Sequence, residues 1–339
     1  MSLTQLFADP ATWLPLVFAG LMGVSILIYV VLDGYDLGVG VLLARATEAE
    51  KDRMVASIGP FWDANETWLV MAVGLLLVAF PVAHGAILST LYIPVVVLLI
   101  GLILRGVSFE FRAKAQPDHK TAWNRAFVAG SAMATLAQGY MLGLYVMGLE
   151  HTVWTMLFGA LTAVCLTGGY AFIGACWLIY KTDGLLQRKA ALWARTLLVP
   201  VAVGFVAISL ATPFVSERIF HKWFDWPYIA YLAPLPVTAA ALFVWLRTKL
   251  AHLPRIDDKG SLQPLIGAGL LFVTCFGGLA YSFYPYVVPE RLTIYEAASA
   301  PESLKIILVG ALFVMPVIAA YSAFAYWVFR GKARDLSYD

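Results

Sequence analysis

The chain has 339 residues, of which 61% are apolar and 13% charged, and its mean hydropathy is +0.80. A soluble domain is excluded, because such domains are about half apolar and about a quarter charged. The net charge of +2 excludes a generally basic nucleic-acid-binding protein, and no nucleic-acid partner is expected. The three cysteines lie inside apolar runs, which argues against a disulfide framework or a zinc cluster.

Long uncharged runs recur along the whole chain. A bilayer span needs about 20 mostly apolar residues, and the runs are too long and too continuous for the alternating strands of a membrane barrel. The sequence therefore predicts an all-α, polytopic membrane protein with nine transmembrane helices in one integral-membrane domain, residues 1–339. The runs are 10–32, 67–83, 86–104, 126–149, 152–180, 196–216, 226–246, 260–289 and 306–329.

Basic residues alternate between the connections. Those on one side, including the tail with Arg330, Lys332 and Arg334, hold 19 Lys and Arg residues, and those on the other side hold 4. Because positive charge marks the cytoplasmic side, the split predicts an N-terminus outside and a C-terminus in the cytoplasm. The outer connections after the second and fourth runs are very short, so each is expected to be a hairpin, the first broken at His84-Gly85.

Histidine placement bears on haem. All five histidines fall in connections or at the ends of runs; they are His84, His119, His151, His221 and His252. Membrane cytochromes hold their haems by axial ligands buried between helices. The sequence therefore predicts that this chain carries no haem and no metal site of its own.

Four carboxylates stand out, because charged residues are nearly absent from the runs. Asp33 and Asp36 lie three apart at the end of the first run, and Asp63 and Glu66 lie three apart before the second. In helices, each pair shares one face. Carboxylates inside a membrane are costly and mark proton or ion pathways, so the set predicts a proton pathway from the cytoplasm. Asp63 is expected to matter most.

Structural explanations for these segments remain open. Asp63 and Glu66 would also favour a helix N-terminus through the helix dipole. Gly34 and Gly38 form a small-xxx-small pattern that packs helices closely. The same two glycines are expected to leave room for water beside Asp36, which would make that residue less critical than Asp63.

Trp62 and Trp68 flank the second pair of carboxylates. Together with the polar edge of Asn65, two indoles would form the wall of a quinone pocket or an oxygen path. Tryptophans at the ends of spans are also common interfacial anchors, and this alternative stays open.

The end of the third run carries Arg105, Glu110 and Arg112. Their charges predict local ion pairing at the cytoplasmic end, since this is a basic connection. In the fourth run, Gln138 is a mid-span amide that is expected to hydrogen-bond a neighbouring helix.

Four segments resemble subunit II of cytochrome bd-type quinol oxidases. They are LDGYDLGVG at 32–40, GPFWDANETWL at 59–69, RGVSFEFR at 105–112 and YPYVVP at 284–289. The resemblance implies two four-helix bundles, 1–150 and 151–290, and a peripheral ninth helix at 304–330. It also implies a bacterial inner-membrane complex that oxidises quinol and reduces oxygen to water.

The resemblance further implies how the complex is divided. Subunit I is expected to carry haem b and haem d (or b), and this chain is expected to stabilise it. The resemblance also implies a small single-helix subunit and a structural quinone bound to this chain. In relatives, positions matching Asp33, Asp36 and Asp63 are associated with a proton route, and those matching Trp62 and Trp68 lie near a quinone or an oxygen path.

Two other classes of protein fit parts of the pattern. A proton-coupled secondary transporter would use the carboxylates for coupling, but transporters place such charges near mid-membrane in repeated halves. Here they lie near one end of the spans and in one half of the chain. A membrane anchor that binds quinone for a soluble dehydrogenase is the third reading. The pattern favours the oxidase subunit.

Overall fold

A computed structural model describes residues 9–214, 217–255 and 257–333, apart from the side chains of residues 117 and 118. Residue 216 at the end of the sixth run and Arg334 in the basic tail lie outside these residues. The helices are α1 (Pro10–Leu42), α2 (Glu48–Ile58), α3 (Trp62–Ala79), α4 (Pro81–Thr90), α5 (Tyr92–Lys114), α6 (Pro117–Val146), α7 (Val153–Lys181), α8 (Gly184–Ala211), α9 (Glu217–Phe224), α10 (Tyr228–Leu232), α11 (Pro234–Ala251), α12 (Gln263–Phe283) and α13 (Pro301–Val328).

Nine helices within the described ranges are long and apolar enough to cross a membrane. This confirms the all-α, polytopic class. The spans are α1, α3, α5, α6, α7, α8, the α10–α11 segment, α12 and α13. A two-stranded antiparallel ribbon, β1 (Tyr286–Val288) with β2 (Leu292–Thr293), lies between the last two spans.

The connection between the second and third spans differs from the predicted hairpin. A separate helix, α4, stands between them, and His84 and Gly85 lie inside it. The break falls instead at Phe80, whose backbone is not helical. Pro81 follows at the first turn of α4, where its missing N–H costs no hydrogen bond. The connection between α6 and α7 is short, as predicted.

Helix α1 is central to the packing. It contacts α3, α6, α7 and α12, while α5 packs on α6, α7 on α8, and α11 on α12. Helix α13 contacts α1 and α3, and Tyr326 near its end meets Trp177 of α7. Helix α7 also packs extensively on α1 and α6, so the division into bundles 1–150 and 151–290 with a peripheral helix at 304–330 remains a proposal.

Helices α1 and α7 cross at a contact that only glycine allows. A Cβ atom on Gly38 would lie 1.7 Å from the Tyr170 carbonyl oxygen, and one on Gly174 would lie 2.6 Å from the Gly38 carbonyl carbon. A Cβ on Gly34 would lie 2.7 Å from the Tyr170 ring. The glycines therefore serve close helix packing. The expectation that they leave room for water is wrong, because Tyr170 fills that space.

Helix α2 lies on the predicted cytoplasmic side. Its first turn closes with a capping box, in which the Thr47 hydroxyl accepts from the Glu50 N–H and the Glu50 carboxylate accepts from the Thr47 N–H. Asp52 pairs with Arg112 of α5 at 2.5 Å and with Lys120 of α6 at 2.8 Å. These contacts fix α2 across the ends of the spans.

Candidate functional site

The two aspartates of α1 are fully buried. Asp33 and Asp36 have 0% exposure, although each lies in a helix that is otherwise mostly apolar. They lie three residues apart, so both face the start of α3 and the middle of α5. A buried carboxylate without partners is strongly unfavourable. The neighbouring helices supply partners of two different kinds.

Arg105 is the partner of Asp33. Its Nη1 donates to Asp33 Oδ1 at 2.7 Å, and its Nη2 donates to Glu66 Oε2 at 3.0 Å. The guanidinium is 1% exposed and lies 5.8 Å from the centre of the Trp62 ring. One arginine thus bridges α1 and α3 from α5. Arg105 therefore lies inside the protein, and not at the charged end of its helix as its sequence position predicts.

Asp36 has an amide partner in place of a cation. The Asn65 side-chain nitrogen donates to Asp36 Oδ2 at 2.7 Å and to the Tyr35 hydroxyl at 2.9 Å. The Asn65 oxygen in turn accepts from the Tyr326 hydroxyl at 3.1 Å. The Tyr35 and Tyr326 hydroxyls also contact each other. No ion pair to Asp36 occurs within the described ranges.

Several polar atoms in this region are buried without a protein partner. They include Asp33 Oδ2, Asp36 Oδ1 and Arg105 Nε. Buried polar groups in native proteins are almost always satisfied, and ordered water serves where protein atoms do not. In this cluster, protein atoms leave three polar atoms without a hydrogen bond.

The four predicted carboxylates do not all converge. Asp33, Asp36 and Glu66 are brought together, but Asp63 is exposed in the first turn of α3. The expectation that Trp62 and Asn65 would shield Asp63 from water is therefore wrong. Glu66 is 25% exposed, so it links the exposed Asp63, one turn earlier on the helix, to the buried pair.

The two tryptophans contact different helices. The ring centres of Trp62 and of Phe109 in α5 lie 5.1 Å apart. Trp68 is 3% exposed, and its indole N–H donates to the Ser322 hydroxyl of α13 at 3.3 Å. Six residues correspond to about one and two-thirds turns of helix, so the two indoles point in different directions. The arrangement does not fit a single pocket walled by both rings.

Arg112 and Glu110 differ in their contacts. Arg112 pairs with Asp52, and its Nε donates to Asn124 at 2.5 Å. Glu110 is exposed, and no ion pair involves it in the described part of the chain. The predicted pairing among Arg105, Glu110 and Arg112 is thus replaced by pairing of each arginine with other helices.

The mid-span amide Gln138 joins three helices. Its nitrogen donates to the Tyr29 hydroxyl of α1 at 2.7 Å, and its oxygen accepts from the Tyr170 hydroxyl of α7 at 2.8 Å. Tyr29 lies one turn before Asp33 on the same face of α1. The predicted interhelical role of Gln138 is therefore seen directly.

The histidines lie away from this cluster. His84 is half-buried in α4, and the other four are exposed at span ends or in connections. No group of three or more His, Cys, Asp or Glu able to hold a metal occurs within residues 9–214, 217–255 and 257–333. The absence of haem from this chain stays a prediction.

Sequence reasoning missed the tyrosines of the site. Tyr35 lies inside the motif that carries Asp33 and Asp36, so its position offered a signal. Tyr326 is 261 residues from Asn65 in the chain. No spacing rule connects them, because their contact depends on how α13 packs against α3.

The fold and site define a polytopic membrane protein with an ion-paired carboxylate cluster buried near one end of its first three spans. Residues 14–329 match the family described as Cytochrome bd terminal oxidase subunit II. The chain therefore belongs to the cytochrome bd terminal oxidase subunit II family, and it works as part of an oxidoreductase complex.

Relatives and a solved structure agree with this family. The cytochrome bd ubiquinol oxidase subunit 2 of Bacillus subtilis (strain 168) is 29% identical over 327 residues, covering 89% of this chain and 91% of the relative. The cytochrome bd-I ubiquinol oxidase subunit 2 of Escherichia coli (strain K12) is 26% identical over 355 residues, with 92% and 93% covered. A chain in the structure of bd oxidase from Geobacillus thermodenitrificans shares the fold, with a TM-score of 0.70, 16% identity and coverage of 93% and 98%.

Proposed function

We propose that this chain is the non-haem second subunit of a bacterial inner-membrane quinol oxidase, which oxidises quinol and reduces oxygen to water. Family membership over residues 14–329 supports this role. The haems, b together with d or a second b, are assigned to subunit I. The exposed histidines of the described chain are poor candidates for axial ligands, which agrees with that assignment.

The buried carboxylate cluster is proposed as the entry of a proton route from the cytoplasm. Its single strongest support is the full burial of Asp36 beside an amide, rather than a cation. Asp63 and Glu66 form the mouth, because they lead from the exposed start of α3 to the buried pair. Such a route would let oxygen reduction draw its protons from the cytoplasmic side.

The two buried aspartates are given different tasks. Asp33 shares Arg105 with Glu66, so its charge is balanced by a fixed cation. Asp36 Oδ2 accepts from Asn65, while Oδ1 has no protein partner. A proton can be added to and removed from Oδ1 without breaking a protein hydrogen bond. Asp36 is therefore proposed as the proton carrier, and Asp33 with Arg105 as a fixed ion pair.

The test is the Asp36→Asn variant of the assembled complex. Asparagine keeps the shape and one acceptor but cannot titrate. We expect normal haem content and a loss of quinol oxidase turnover of more than tenfold. Asp63→Asn should lose less, because Glu66 and water can replace an exposed carboxylate. Asp183→Asn is the matched control, since Asp183 is an exposed helix N-cap on the same side and asparagine also caps helices.

Full turnover of an assembled Asp36→Asn complex at all pH values would place the proton route in the partner subunit. Loss of turnover in Asp183→Asn as well would show that the assay reports damage to the fold and not proton delivery.

A quinone or oxygen path at Trp62, Asn65 and Trp68 is a separate proposal. Because the two indoles face α5 and α13, each must be changed alone. A role in such a path predicts that Trp62→Leu or Trp68→Leu alters bound quinone or oxygen affinity in a complex that still assembles. Unchanged quinone content and oxygen affinity in both would leave them as packing residues.

The remaining parts of the complex have direct tests. The purified chain should lack a Soret band, and the complex with subunit I should show one. A small single-helix subunit should copurify with the pair. The basic split of the connections supports a periplasmic N-terminus and a cytoplasmic C-terminus, so reporter fusions after Lys259 and after Asp339 should both report cytoplasm.

A further inference from the structure

The last described residues, 329–333, are tied to the end of α7. Lys181 Nζ donates to the carbonyl oxygens of Phe329 at 2.6 Å and Gly331 at 3.0 Å. The N–H of Ala333 donates back to the Lys181 carbonyl at 2.7 Å. Lys181 is 3% exposed. We call Lys181 together with residues 329–333 the C-terminal clamp.

Two more basic side chains hold the same segment. Arg53 of α2 donates to the Ala333 carbonyl at 2.6 Å. Lys332 donates to the Tyr180 carbonyl at 2.9 Å and pairs with Asp258 at 2.8 Å. Helix α2, the end of α7 and Asp258 thus hold the five residues that follow α13.

Helix α13 has little packing on this chain to fix its position. Only 11% of its most apolar stretch is buried in this chain. Between helices in a bilayer there is little hydrophobic drive for association, so packing and hydrogen bonds must fix their positions. With so little packing on this chain, the clamp sets where α13 sits along its own axis.

Tyr326 lies one helical turn before the clamp and shares its surroundings. Its ring stacks on Phe61 with centres 4.7 Å apart and meets Trp177 edge-on at 6.2 Å. Lys181 Nζ lies over the same two rings, at 5.0 Å from Phe61 and 5.3 Å from Trp177. Because Lys181 and Tyr326 contact the same two rings, a shift of the Lys181 side chain should also shift Tyr326.

We propose that Lys181 is a positioning residue for the proton site: the clamp holds Tyr326 in place, and Tyr326 holds the Asn65 amide with its nitrogen toward Asp36. This inference rests on the proposed proton route. The Asn65 oxygen accepts from Tyr326 and the nitrogen donates to Asp36. If the Tyr326 hydroxyl withdraws, the amide oxygen loses its donor, only the nitrogen contacts to Asp36, Tyr35 and Leu32 still orient the amide, and the donor to the Asp36 carboxyl is held less firmly.

The test uses the assembled complex with Lys181→Met, which keeps the length of the side chain and removes its donors. Hydrogen exchange at the Ala333 amide should rise. Turnover should fall roughly fivefold, the factor that one neutral hydrogen bond is worth, and its pH profile should shift as in Tyr326→Phe. Lys181→Arg, which keeps donors, should restore the exchange rate, the turnover and the pH profile. The control is Lys189→Met, because Lys189 pairs with Glu50 and not with the clamp.

Faster exchange in Lys181→Met with turnover and pH profile equal to those of Lys189→Met would overturn the proposal. So would a Tyr326→Phe complex with an unchanged pH profile. If Lys181→Met does not assemble, Lys332→Met loosens the clamp from its other side and must give the same shift, smaller in size.

The failure of the clamp is distinguishable from the failure of the proton route. Slow turnover in Asp36→Asn with normal turnover and pH profile in Lys181→Met would refute the clamp alone. Full turnover in Asp36→Asn would refute the route and with it this inference.

Discussion

The first three spans and the later spans α8, α11 and α12 differ in whether they bury charged side chains. The former bury Asp33, Asp36 and Arg105 completely. In the described residues of α8, α11 and α12, every buried polar side chain is uncharged. Replacing a buried ion pair by well-packed apolar residues is often neutral or stabilising. The later spans show that this fold can be packed without charges, so the charges of the first spans point to chemistry.

The largest effect should come from removing Arg105. Arg105→Gln leaves Asp33 without its cation in a fully buried site. Breaking a buried pair from one side costs about 3–5 kcal/mol, so we expect poor assembly or a strongly lowered Tm of the complex. Arg247→Gln on α11 is the matched control, because Arg247 is exposed. Equal thermal stability of the two variants would contradict the contrast between the two sets of spans.

A somewhat smaller effect is expected where α1 crosses α7. Gly38→Ala places a Cβ atom 1.7 Å from the Tyr170 carbonyl oxygen, which the helices can relieve only by moving apart. Overpacking of this kind costs about 1–3 kcal/mol, and Asp36 should shift with the helix. The control is Gly74→Ala in α3, where nothing lies within 4 Å of the new Cβ. We expect a lower Tm for Gly38→Ala alone. Equal Tm values for the two variants would contradict the close contact between α1 and α7.

The smallest effect is expected on the surface of the predicted cytoplasmic side. Burial raises the pKa of Asp52, but hydrogen bonds from Lys120 and Arg112 outweigh it and leave the pKa below its ordinary value. The pair therefore adds stability above the ordinary carboxyl pKa and loses it as pH falls toward the lowered one. Since Asp52 is 45% exposed, the gain is under about 1 kcal/mol.

Asp52→Asn measures this contribution. The variant should have a slightly lower Tm than the parent at neutral pH, and the difference should vanish in acid. A difference that grows as pH falls would reverse the assigned sign.

The sequence was sufficient for the spans because membrane helices are specified locally. Each run must be apolar over its own length, so charges alone divide the chain. The exceptions are informative: α4 was missed because its residues are as apolar as a span. The ends of α1 and α5 were cut short because Asp33, Asp36 and Arg105 interrupt the runs although the helices continue.

The site was only half predictable, because its contacts join distant parts of the chain and are not specified locally. Asp33, Asp36 and Glu66 were found because buried charge is rare. Their partners were not, since no local pattern says that Arg105 reaches inward while Arg112 turns to α2. The expected shielding of Asp63 was wrong because exposure depends on where α3 begins relative to its neighbours, which its sequence does not specify. That Asp36 matters more than Asp63 is a proposal.

The proposed proton route requires Asp36 to change its protonation during turnover. A redox-triggered infrared difference spectrum of the complex reports this as a carboxylic acid C=O band. We predict that this band is present in the parent and in Asp183→Asn and is absent from Asp36→Asn at equal haem content. The same band at full intensity in Asp36→Asn would contradict the account.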